Sequence, residues 1–146
     1  LTPDCITVLG AVENSKVRDL MLNSDIFVFT SDRNEGWGAS LNEAMSSGCA
    51  CVVSNAIGSA HFLINNEVNG LLFKNKSSSS LQFQLKRLLD DNLLRKSISV
   101  NAYNTIQNEW RPEIAGQRLL GLIQNLMYGK DTDYQAGPCS KAKPVK

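Results

Sequence analysis

Apolar positions along the chain follow two patterns. Short unbroken apolar runs at residues 5–10 (CITVLG), 25–30 (DIFVFT), 50–54 (ACVVS) and 69–73 (NGLLF, opening on an Asn-Gly turn) have the length and β-prone makeup of strands, and those at 25–30 and 50–54 read as strands buried on both faces of a parallel sheet. Between them the period lengthens to that of a helix. Ser15 is placed to cap a helix carrying Val17, Leu20 and Met21 on one face. Residues 39–48 (ASLNEAMSSG) put Leu41, Ala44 and Met45 at helical spacing, with Gly48 as a natural stop. Residues 58–66 read as a loop with a short helix.

Beyond residue 76 the chain turns helical. Serines 77–80 cap a helix with Leu81, Leu85, Leu88 and Leu89 at i, i+4, i+7 and i+8. Leu94, Ile98, Ala102 and Ile106 mark a second helix. Pro112, at a first-turn position, opens a third with Ala115, Leu119, Leu122 and Leu126. From Lys130 onward (KDTDYQAGPCSKAKPVK) periodicity is lost, so residues 1–129 are expected to form the domain and 130–146 a mobile tail. The order strand, helix, strand, helix, strand, helices predicts an α/β fold, an open doubly wound parallel sheet. Such sheets bind ligands at the carboxyl ends of their strands.

The chain has 146 residues, 42% of them hydrophobic and 20% charged, the makeup of one globular domain. Fifteen Lys and Arg against fourteen Asp and Glu leave no basic face for nucleic acid. No apolar run approaches the roughly 18 residues of a membrane span, and the first ten residues lack the basic start of a signal peptide. The chain begins with Leu1, so it is expected to be cut from something longer. The tail carries four Lys and two Asp, so a weak attraction to an anionic membrane surface is conceivable beside the plainer reading of a solvated tail. The cysteines, Cys5, Cys49, Cys51 and Cys139, match neither a zinc knuckle nor a disulfide framework. Cys49 and Cys51 read as small buried hydrophobes in a reducing compartment.

The most informative stretch lies between residues 31 and 48, after the 25–30 strand. Gly36 and Gly38 let a backbone approach a ligand closely, and the helix that follows offers free N–H groups and the positive end of its dipole, which suits a phosphate. Glu35 precedes that helix and Glu43 lies about five residues into it, so the two are separated along the axis by about 7–8 Å. Two carboxylates flanking an anion site can accept hydrogen bonds from hydroxyls on either side of a diphosphate, one holding a sugar and the other a ribose. The plain alternative is two solvated surface acids.

Glu35 to Glu43, followed by Ala44-Met45, Gly48-Cys49 and Val52-Val53, resembles the E-x7-E signature of the retaining GT-B glycosyltransferases of the large GT4 family (glycosyl transferases group 1). Val8-Leu9-Gly10, Ser24 to Phe29, Gly58, Asn69 to Leu72 and Trp110 agree with that family in order, so the resemblance covers nearly all of residues 5–129. The piece Gly137-Pro138-Cys139-Ser140 is similar to glycosyltransferases encoded by bacterial polysaccharide loci. The fold implied is a Rossmann-like doubly wound parallel sheet, the C-terminal half of a GT-B enzyme, incomplete at its N-terminus. The implied substrate is a nucleotide-diphosphate sugar, UDP- or GDP-linked, with no cofactor and no metal. Position by position, Glu35 matches the Glu that holds donor-sugar hydroxyls near the reacting carbon. Gly36, Trp37, Gly38, Ala39 and Ser40 match the segment whose backbone meets sugar and diphosphate. Leu41 lies beside the nucleoside, and Glu43 matches the Glu that takes the ribose hydroxyls.

The departures from the family bear on function. Its basic diphosphate clamp, an Arg and a Lys, would precede Leu1, as would the domain that binds the acceptor, a saccharide or lipid-linked saccharide, and supplies a catalytic His. His61 stands where many relatives have Pro and is read as a loop residue. Arg33 is read as solvated, with a part in replacing the lost cation if it faces the phosphates. The Trp37 ring is expected to pack rather than stack on a base. The only DxD, Asp131-Thr132-Asp133, falls in the tail and is not expected to bind metal. The resemblance implies a cytoplasmic enzyme, peripheral at most to the inner face of the cell membrane, with the isolated chain inactive. A truncated, non-catalytic nucleotide- or partner-binding module is the competing reading. An oxidoreductase is disfavoured because no GxGxxG follows a strand.

Overall fold

The computed structural model describes residues 5–131 and 134–141. Three parallel strands, β1 (Ile26–Phe29), β2 (Ala50–Ser54) and β3 (Leu71–Phe73), lie side by side in that order. Val28 stands opposite Val52, and Val52 opposite Leu71. Helix α1 (Asn14–Leu22) leads into β1, α2 (Ser40–Ser46) crosses from β1 to β2, and α3 (Ala60–Leu63) crosses from β2 to β3. Helices α4 (Ser78–Asp90), α5 (Asn92–Glu109) and α6 (Pro112–Met127) follow.

The apolar run Ala50–Val53 of β2 explains its central place, since all five residues of the strand are buried and only a strand covered on both faces favours such a run. Alternate side chains feed two cores. Cys51 and Val53 pack with Leu41, Met45, Leu63 and Ala102 on one face, while Ala50 and Val52 pack with Leu71, Leu88 and Ile98 on the other. Helix α5 reaches both cores, through Ile98 on one side and Ala102 and Ile106 on the other. The sheet is therefore doubly wound, as the element order implies. Cys49 and Cys51 are free thiols with no exposed surface, and burial pushes both up from the ordinary thiol range.

Local chemistry sets the helix ends. Ser77 Oγ accepts from the Ser80 N–H at 3.2 Å, and Asp91 Oδ1 accepts from the Leu94 N–H at 2.9 Å, so one capping residue separates α4 from α5. Helix α2 closes with the Gly48 N–H on the Met45 carbonyl and the Cys49 N–H on the Ala44 carbonyl, both at 3.1 Å, the paired bonds of a Schellman end. Pro112 occupies the start of α6.

Two expectations need correction. Residues 6–10 form no strand: Val8 is 89% exposed, and among the described residues no backbone hydrogen bond joins this segment to a neighbour. A strand exists only with a partner ladder, which β-prone composition alone does not supply. Ser15 lies inside α1, whose cap is Glu13 without a side-chain bond. The described residues of the tail form no helix or strand, and residues 134–141 fold back on α6. The Arg118 guanidinium donates to the Ala136 carbonyl and lies 5.0 Å from the Tyr134 ring centre. Thr132 and Asp133 of the DxD sequence, and residues 1–4 and 142–146 with Lys143 and Lys146, lie outside the described residues. Among the described residues no helix is long and apolar enough to cross a membrane.

Candidate functional site

The carboxyl ends of all three strands open into one cavity of about 500 Å³. Arg33, Glu35 and Gly36 reach it from the loop after β1, Asn55, Ala56 and Gly58 from the loop after β2, and Asn75 from beyond β3. His61 of α3 closes the side. Hollows of about 590 Å³ lie elsewhere, but among the described residues this cavity is the one lying where parallel strands deliver their loops, the place at which such sheets bind ligands.

The loops are fastened to one another. Gly58 approaches the loop after β1 so closely that a Cβ there would meet the Gly36 carbonyl oxygen at 2.2 Å. The Ser59 N–H donates to the Trp37 carbonyl at 2.9 Å. Gly38 turns with φ +80° under Phe29 and Ile57, each within about 3.0 Å of where its Cβ would stand. Asn55 and Asn75 tie the ends of β2 and β3, because Asn55 Oδ1 accepts from the Asn75 N–H at 2.9 Å.

The residues singled out from sequence have distinct places. Glu35 is half-buried at the cavity wall, and Ser31 Oγ donates to its Oε2 at 3.4 Å. Arg33 is exposed and lines the same cavity. The N–H groups of Gly36, Trp37, Gly38, Ala39 and Ser40 donate to no protein acceptor among the described residues, and Ala39, which caps α2, makes no side-chain cap bond. The Trp37 ring packs, as expected, between Phe62 at 5.5 Å and Trp110 at 5.6 Å, and its Nε1 donates to Asn42 Oδ1 at 2.8 Å. Because α2 starts at Ser40, Glu43 lies in its first turn, exposed and outside the cavity lining. Leu41, expected beside a nucleoside, is fully buried in the core under the turn, with its N–H donated to the Gly38 carbonyl at 3.0 Å. Among the described residues no three His, Cys, Asp or Glu side chains gather as metal ligands would.

Asn55, Asn75 and His61 are cavity residues that sequence reasoning missed. Their signal was available for the asparagines, since each lies one or two residues past a recognisable strand. His61 carried none, because α3 brings it back to Glu35 across 26 positions only in the folded chain.

Fold and cavity together define a parallel α/β domain with a crevice at its strand ends. The chain belongs to the glycosyl transferases group 1 family, whose model matches residues 1–105. It is 33% identical over 127 residues to the N,N'-diacetylbacillosaminyl-diphospho-undecaprenol alpha-1,3-N-acetylgalactosaminyltransferase of Campylobacter jejuni, covering 87% of this chain and 32% of that protein. It is 31% identical over 107 residues to an uncharacterized glycosyltransferase of Methanocaldococcus jannaschii, covering 72% of this chain and 27% of that one. The chain thus spans about a third or less of the length of these relatives. Its fold is that of the C-terminal domain of GT-B glycosyltransferases. The crystal structure of the C-terminal domain of a group 1 glycosyl transferase of Francisella tularensis matches with a TM-score of 0.64 at 29% identity, over 73% of this chain and 53% of that one. An Anabaena protein solved in complex with UDP matches with a TM-score of 0.62 at 26% identity, over 73% of this chain and 29% of that one.

Proposed function

We propose that this chain is the donor-binding domain of a retaining glycosyltransferase of the GT4 type, which moves a sugar from a UDP- or GDP-linked donor to a saccharide or lipid-linked saccharide in cell-surface polysaccharide synthesis. The observation that carries the reading is the position of Glu35, the first glutamate of the family-like pattern, in the wall of the strand-end cavity. The UDP complex of the Anabaena protein supports the donor class. The lipid-linked acceptor in the name of the Campylobacter relative supports the acceptor class.

Glu35 accepts hydrogen bonds from donor-sugar hydroxyls beside the reacting carbon and so orients it. The N–H groups from Gly36 to Ser40, already fixed by the bonds between the loops, face the sugar and diphosphate. As the departing diphosphate gains charge, donors held in place stabilise it without reorganising. Arg33 adds positive charge at the same cavity, and Glu43 takes the ribose hydroxyls from the first turn of α2. The acceptor is held by a part of the enzyme other than this domain, so the isolated chain transfers little or no sugar.

Steady-state kinetics of the whole enzyme test this assignment. Glu35→Ala is expected to lower kcat by about 100-fold or more while nucleotide affinity changes by less than about threefold. An equal loss in both quantities would contradict it.

A further inference from the structure

We propose that the groove between α3 and α5 is a second binding site, for an uncharged saccharide. It is a hollow of about 590 Å³ that shares His61 with the strand-end cavity, so the two adjoin. Its volume falls in the range of small-ligand pockets, roughly 300–1,000 Å³. One wall is a polar stripe on α5: Asn101, Asn104, Thr105 and Asn108 line the groove at i, i+3, i+4 and i+7, hence on one helix face.

Part of this polarity holds the fold together. Asn69 Nδ2 donates to the Leu63 carbonyl at 3.0 Å and to Thr105 Oγ1 at 2.9 Å, and Asn101 Nδ2 donates to the Val68 carbonyl at 2.9 Å. Asn104 and Asn108 do neither: both are exposed, and their carboxamides have no hydrogen-bond partner among the described residues. Asparagine is a poorer helix former than alanine. Local preference therefore opposes both residues and packing does not use them, the kind of inconsistency that marks functional positions.

The lining selects the ligand. Each carboxamide offers an acceptor oxygen and two donor hydrogens, which matches hydroxyls that both donate and accept. No Lys or Arg lines the groove and Glu109 does, so a diphosphate or acidic sugar finds no counter-charge there. Phe62, 41% exposed, offers an apolar face at the same groove for the C–H side of a sugar ring. The ligand class rests on this lining; the sugar-transfer reading is needed only for the inference that the occupant is a glycan on its way to or from transfer.

Titration of 15N-asparagine-labelled protein with maltotriose and with triacetylchitotriose tests the proposal, up to about 10 mM, which saturates a site with a Kd near 1 mM. The side-chain NH2 signals of Asn104 and Asn108 are expected to shift saturably with at least one sugar and to stay in place with UDP alone. Asn104→Ala/Asn108→Ala favours the helix and should fold; in it, the sugar-induced shift of Asn101 should vanish or need about tenfold more ligand. No saturable shift with either sugar, unchanged affinity in the double variant, or a UDP-induced shift of Asn104 or Asn108 would overturn the proposal. Signals of Asn55 and Asn75 report UDP at the strand-end cavity in the same sample. A silent groove beside responsive Asn55 and Asn75 sinks this inference and leaves the donor reading standing.

Discussion

Replacing Gly58 with alanine perturbs the contact that wedges the two main loops of the cavity together. The new Cβ would lie 2.2 Å from the Gly36 carbonyl oxygen, whereas ordinary contact begins at 3.4 Å. Both partners are backbone, so neither yields by rotating a side chain, and the loops must part by about 1.2 Å. That movement stretches the bond from the Ser59 N–H to the Trp37 carbonyl from 2.9 Å to about 4 Å, beyond hydrogen-bond range. Overpacking costs about 1–3 kcal/mol and the lost bond about 1 kcal/mol, together about 2–4 kcal/mol. At about 3 °C per kcal/mol for a domain of this size, Tm falls by roughly 6–12 °C. Thermal unfolding followed by circular dichroism reads the stability, and a UDP titration reads the site, which should weaken as the N–H groups of residues 36–40 move. Gly116→Ala is the control, since a Cβ at that exposed position in the middle of α6 meets nothing within 4 Å and the substitution should stabilise by about 0.5–1 kcal/mol. Were Gly58→Ala to melt within about 1 °C of the parent and bind UDP equally well, the wedge would carry no weight and the reasoning would be wrong.

Other consequences follow from burial and charge. Leu41→Ala should cost about 2–5 kcal/mol in urea unfolding, the range for a fully buried leucine; a loss under about 1 kcal/mol would remove Leu41 from the core. The hydrogen bond from Arg87 holds the Glu67 carboxyl below its ordinary range. A carboxyl lowered by folding stabilises above its unfolded value, about 4.3, and loses that contribution as pH falls through the lower folded value. Arg87→Met should therefore cost under about 1 kcal/mol at pH 7, the pair being partly exposed at 29% and 48%, and the difference should shrink in acid. A gap that stays constant from neutral pH to strong acid would contradict this.

What was legible in the sequence is what local pattern determines. Leu41, Ala44 and Met45 at helical spacing mark the buried face of α2, the apolar run at 50–54 is the central strand, and Glu35 before a glycine-containing turn is at the cavity. What was not legible depends on partners distant in sequence. Residues 6–10 have the composition of a strand but, among the described residues, no backbone hydrogen bond pairs them with a neighbour. The tail lacks periodicity, yet Arg118 holds it through backbone carbonyls of Ala136 and Pro138, which composition does not reveal. Leu41, at helical spacing with Ala44 and Met45, is completely buried, as that spacing implies. His61 joins the cavity only because α3 folds back over the loop after β1.

The central claim is that Glu35 and Glu43 divide a nucleotide sugar between them, and calorimetry of UDP and GDP binding tests it most directly. UDP and GDP carry the ribose but no donor sugar, so the account predicts that Glu43→Ala weakens binding of the preferred nucleotide by about 10- to 100-fold, the worth of hydrogen bonds to one carboxylate. Glu35→Ala should leave that affinity within about threefold of the parent. Equal weakening by the two substitutions, or nucleotide binding indifferent to Glu43, would contradict the account.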